Sequence, residues 1–139
     1  MIVLNELCKK CNRICNAMHF HQNFENWTSG DNNIDKLIKD TQLLAHNHPS
    51  NALEWIPYYK LYNIKYIAKD ELGEVYRANW IDGNINNWDY HIQNWQRINQ
   101  NMFVTLKSLN NSKSFALEFI NEVYKKFVYN ENIKNSNFY

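Results

Sequence analysis

The feature that most constrains this chain is a change of period near Pro57. Before it, apolar residues recur every three or four positions, the spacing of a helix with one buried face. After it, β-branched and aromatic residues cluster in short runs punctuated by glycine, the pattern of strands and turns. Neither pattern persists long enough to be a coiled coil or a repeat array. An α+β chain follows: a cysteine-bearing helical lead over 1–55, a sheet-bearing unit over 56–129, and a polar tail over 130–139.

Within the lead, Ala17, Phe20, Phe24 and Trp27 fall on one face of a helix running from Cys15 to Trp27, which Ser29-Gly30 ends. Asp31, Asn32 and Asn33 offer N-cap oxygens to a second helix. Its stripe is Ile34, Leu37, Ile38, Thr41, Leu44 and Ala45, and His48-Pro49 stops it. A short helical turn is predicted from Ser50 to Trp55. Strands are predicted over Ile64–Lys69, Glu74–Trp80 and Met102–Leu109, with Gly73 at the turn between the first two. The asparagine-rich stretch between Trp80 and Met102 reads as an extended hairpin, and Ser114–Tyr129 as a last amphipathic helix.

Charge narrows the partners. Fifteen Lys and Arg against fourteen Asp and Glu leave a formal net charge of +1. That supplies no broad positive field, so neither nucleic acid nor an acidic membrane is an expected partner. The apolar start Met1 to Leu4 is broken at once by Asn5 and Glu6, which predicts a cytosolic or nuclear location with reduced cysteines.

Three ordered motifs carry a family resemblance. The run from Ile67 to Ala78 (IAKDELGEVYRA) resembles the glycine-rich loop of protein kinases and its flanks. Val104-Thr105-Leu106-Lys107 resembles V-A-I-K, and Phe119-Ile120-Asn121-Glu122-Val123 resembles the αC segment with its paired glutamate. The stretch from Cys8 to Trp27 is similar to the cysteine-bearing prefix of an expanded set of fungal, tyrosine-kinase-like protein kinases. The resemblance covers roughly residues 56 to 124 and implies the opening part of a kinase small lobe, an antiparallel sheet carrying an αC-like helix. It places ATP with magnesium against Gly73, Val75, Lys107 and Glu122: Val75 beside adenine, Lys107 on the phosphates, Glu122 holding the lysine.

The departures matter equally. In G-x-G-x-x-G-x-V the first two glycines correspond to Ala68 and Asp70, and only Gly73 remains. Glycine lets backbone amides close on phosphate, whereas Asp70 presents a carboxylate. Two unit charges about 4 Å apart interact by roughly 1 kcal/mol in water and about 4 at a protein-surface dielectric, so nucleotide binding is expected to be weak or absent. Thr105, in place of alanine, narrows the adenine wall. Nothing after Glu122 resembles the hinge, H-R-D-x-x-x-x-N or D-F-G, so no catalytic residue is assigned and the chain alone is expected to be inactive. The rival to a nucleotide-binding remnant is an interaction module that binds no nucleotide and docks a protein partner or self-associates through exposed apolar surface.

Cys8-x2-Cys11-x3-Cys15, with His19 one helical turn after Cys15, is a candidate Cys₃His zinc set. The alternative is three reduced, noncatalytic thiols, because these four lack the long spacer usual in such sites. His21, His46, His48 and His91 read as surface or structural histidines.

Overall fold

A computed structural model describes residues 7–71, 73–109 and 121. Of the predicted helix over 114–129 only Asn121 is among them, and it is helical; the candidate residue Glu122 lies outside them. The described part is α+β, with two helices and five antiparallel strands in two sheets.

Helix α1 spans Asn16–His21 and is followed by a 3-10 turn at Phe24–Asn26. The single helix expected over 15–27 is thus broken at Asn23 (φ −102°, ψ 1°). Across the break Phe24 still packs against the cluster that Phe20 enters. Phe20 enters a cluster with Ala45 and Ile85, while the Lys39 ammonium lies over the rings of Phe24 and Trp27.

Helix α2 spans Asn32–Leu44, and its start is the one the sequence predicts. Asp31 accepts hydrogen bonds from the amides of Asn33 (2.8 Å) and Ile34 (3.1 Å), satisfying donors that have no intrahelical partner. Leu37, Ile38, Thr41 and Gln42 form its buried face. Thr41 and Gln42 then fasten the chain that follows. The Thr41 hydroxyl accepts from the Leu53 amide at 3.0 Å, and Gln42 Nε2 donates to the Leu53 carbonyl at 2.9 Å. The turn expected over 50–55 is a 3-10 turn at Pro49–Asn51.

Strands β1 (Leu61–Lys69), β2 (Gly73–Trp80) and β5 (Met102–Leu109) form one antiparallel sheet with β2 in the centre. β1 begins earlier than its β-branched core suggests because Leu61 and Tyr62 pair with Trp80 and Asn79. Strands β3 (Asn84–Asp89) and β4 (Asn94–Ile98) form a separate hairpin in the asparagine-rich stretch. Gly83, between β2 and β3, has φ +70°, and a Cβ there would overlap the Ile98 carbonyl and lie 2.7 Å from the Asn99 carbonyl carbon. Only glycine fits that corner.

Arg97 of β4 joins the layers. It makes a two-pronged contact with Glu54 (2.6 and 3.2 Å), donates to the Gly83 carbonyl at 2.9 Å, and lies over the Trp80 ring. The side chains are only 26% and 20% exposed, and lysine cannot reproduce a planar two-pronged contact. Arg97→Lys is therefore expected to lower unfolding free energy in urea by about 1–2 kcal/mol. Removing the exposed i,i+4 partner Lys36 of Asp40 should change it by less than about 0.5 kcal/mol.

Candidate metal centre

The segment before α1 is a tight loop. The Cys8 amide donates to the Arg13 carbonyl (3.0 Å) and the Asn12 amide to the Cys8 carbonyl (2.7 Å). Asn12 makes the reversal with φ +53°, a region that asparagine tolerates better than most residues. The loop thereby turns Cys8 and Cys11 back toward Cys15, the N-cap of α1.

Packing of α2 against α1 brings a fourth group. His46 lies two residues beyond the end of α2, and its Nδ1 is 3.2 Å from Cys15 Sγ and 3.5 Å from Cys8 Sγ. Asn16 donates to the His46 carbonyl (3.1 Å) and Arg13 to the Asn47 side chain (2.6 Å), so the backbone around His46 is held from both sides. The three sulfurs and the imidazole nitrogen lie within 4.8 Å of one another, close enough to hold a metal ion. Zinc bonds of about 2.3 Å to sulfur and 2.0 Å to nitrogen put tetrahedral ligand atoms roughly 3.5–3.8 Å apart, so the wider separations must close by up to about 1 Å while the 3.2 Å contact of His46 with Cys15 opens slightly.

Burial and hydrogen bonding pull two of the thiols in opposite directions. Burial raises the Cys8 thiol, but the amides of Cys11 and Lys10 and the thiols of Cys11 and Cys15 outweigh it, leaving Cys8 below the ordinary cysteine value. Cys15 is pushed up, chiefly by burial, against the amides of Met18 and Ala17. Burial, then the charges of Lys10 and Arg13, lowers His46 and favours the neutral imidazole that a metal requires. Those cations also offset a set carrying three thiolates.

His19, the expected fourth ligand, is not in the cluster. It is buried, and its ring is stacked on Trp88 at 3.8 Å and 8°, with the edges of Tyr90 and Trp95 beside it. Spacing along α1 alone suggested His19, but helix packing decides the matter. The signal for His46 was available in principle: two consecutive helices packed antiparallel bring the end of the second to the start of the first, where Cys15 sits.

No family model, curated protein or solved structure matches this chain.

Of the residues expected around a nucleotide, Gly73, Val75 and Lys107 lie on the three-stranded sheet. Gly73 opens β2 and is buried. Val75 of β2 is the direct cross-strand partner of Lys107 of β5, so both side chains share one face. Lys107 Nζ is 2.6 Å from Asp70 Oδ2, and the other Asp70 oxygen accepts from the Gly73 amide at 3.1 Å. The side chains of Lys107 and Asp70 are 35% and 45% exposed, which limits the pair to about 1 kcal/mol or less.

His19 has a pH consequence. Burial lowers it from an ordinary value of 6.5, and neither ring nitrogen has a hydrogen-bond partner among the described residues. Below that pH the unfolded chain takes up a proton that folded His19 resists, so stability is full above about 6.5 and falls as the pH drops. Urea unfolding between pH 8 and 5 should show this decline, and His19→Phe should flatten it, leaving the part due to His46.

Proposed function

We propose that this chain is the opening part of a protein-kinase-like small lobe with a degenerate ATP site, preceded by a lead that carries a structural zinc ion. The observation that carries the nucleotide part is the placement of Lys107. It stands across from Val75 of the central strand β2, and the turn joining β1 to β2 delivers the Asp70 carboxylate to it. In a kinase-like site that lysine would meet the α and β phosphates, with Glu122 behind it. Here a carboxylate stands where a phosphate oxygen would bind, and the second Asp70 oxygen fixes it to the turn. Affinity for ATP with magnesium is therefore low.

Zinc is the metal that the lead suits. Three thiolates and one imidazole are soft-to-borderline ligands, and four protein ligands leave no open position for a substrate. Zinc here is structural, and a reducing, cytoplasmic compartment would keep the thiols available.

The second reading is an interaction module that binds no nucleotide and uses a protein partner or self-association. It is favoured by the apolar side chains that β1, β5 and the turn before β1 leave in water: Tyr58 and Tyr59 are about three-quarters exposed, and Tyr66, Ile67 and Phe103 more than half.

A thermal melt separates the two. Wild type should respond to millimolar Mg²⁺-ATP by less than about 1 °C. Asp70→Ala should gain a rise of about 3–6 °C at ligand near ten times Kd, and Asp70→Ala/Lys107→Ala should lose it. Indifference of all three proteins would remove the nucleotide reading and leave the interaction module.

A further inference from the structure

The cysteine cluster and the aromatic hairpin grip the same six residues. Cys15 caps the N-terminal end of α1 and faces His46. One turn later His19 stacks on Trp88 of β3, and Phe20 packs against Trp95 of β4 at 4.5 Å between centroids. Ala17, between these contacts, is 1% exposed and packs with Cys8 and Cys15.

A helix of six residues has too few internal hydrogen bonds to hold itself together, so its position is set by what grips its ends. On the hairpin side the grip is aromatic and apolar: Trp88 and Trp95 meet edge to face at 5.1 Å, and Ile85 joins Phe20 and Ala45. On the other side lie three thiols and an imidazole, whose backbone is held by hydrogen bonds of the loop and from Asn16. Without a metal these are weak hydrogen-bonding partners, and their thiolate forms repel one another. With a metal they become four bonds converging on one point.

We propose that zinc bound by Cys8, Cys11, Cys15 and His46 fixes α1 and, through His19 and Phe20, docks the β3–β4 hairpin, so that metal occupancy governs whether the hairpin is seated. This rests on the zinc assignment made above and adds a consequence to it. The hairpin is the element most exposed to such control. Among the described residues its two strands pair only with each other, an isolated two-stranded hairpin is marginal in water, and its tie to the rest of the chain besides α1 includes Arg97, which meets Glu54 and lies over Trp80. The sheet β1–β2–β5 has its own ladder on both sides of β2.

The test is hydrogen exchange read by mass spectrometry on the full chain, zinc-loaded and after chelation, with zinc counted in parallel by a colorimetric chelator. The loaded protein should hold one equivalent. Its removal should raise exchange in residues 84–98 at least tenfold and leave the strands at 73–80 and 102–109 within twofold. His46→Ala should show the fast hairpin even in excess zinc. His19→Ala should keep one equivalent of zinc and still raise hairpin exchange, because it removes the Trp88 stack, one of the two links, without touching the ligands. One equivalent of zinc with hairpin exchange unchanged on chelation would overturn the inference and leave the zinc site standing. Exchange rising equally in every strand would also overturn it, by making the metal a support of the whole fold. Absence of bound zinc would remove both the site and the inference.

Discussion

The described structure turns on how a six-residue helix is held. α1 is too short to persist alone, yet it contributes Cys15 to one cluster, Ala17 to the floor beneath it, and His19 and Phe20 to the aromatic contacts with β3 and β4. Against it packs α2, whose capped start and buried stripe make it the strongest local element of the lead. α2 ends beside Cys15 and so carries His46 to the thiols. Through Thr41 and Gln42 it also sets the path of the chain toward the sheet.

Two polar contacts show how burial changes the meaning of a charge pair. Arg97 and Glu54 are largely enclosed, two-pronged, and tied to the corner at Gly83. Lys107 and Asp70 are nearly as short but stand in water. The first is positioned to support the fold. The second contributes little to stability, yet it ties Lys107 of β5 to the turn between β1 and β2. A weak contact is suited to that position because a ligand or a substitution can displace it.

Much of this was legible in the residues. The N-cap at Asp31, the stripe from Ile34 to Ala45, the glycine turn before β2 and the span of β5 follow from local chemistry and are found where that chemistry puts them. The hairpin within the asparagine-rich stretch was visible as a break between apolar runs, with Asp82-Gly83 marking its corner. Helix α1 was read too long because Phe24 and Trp27 keep the helical period although the chain has already turned at Asn23. His19 was read as a ligand for a related reason: spacing along one helix is local, whereas His46 reaches the cysteines only through the packing of α1 on α2. Tertiary contacts that join residues 31 positions apart leave no periodic trace. Glu122 of the αC-like segment lies outside the described residues, so its relation to Lys107 is carried by the sequence alone.

The identity of the fourth ligand is the point on which the account of the lead depends, and X-ray absorption at the zinc edge reads it directly. The zinc-loaded chain should show three sulfurs at about 2.3 Å and one nitrogen at about 2.0–2.1 Å. That nitrogen should disappear from the spectrum of His46→Ala and persist in His19→Ala. A first shell that changes with His19 and is indifferent to His46, or one with fewer than three sulfurs, would contradict it.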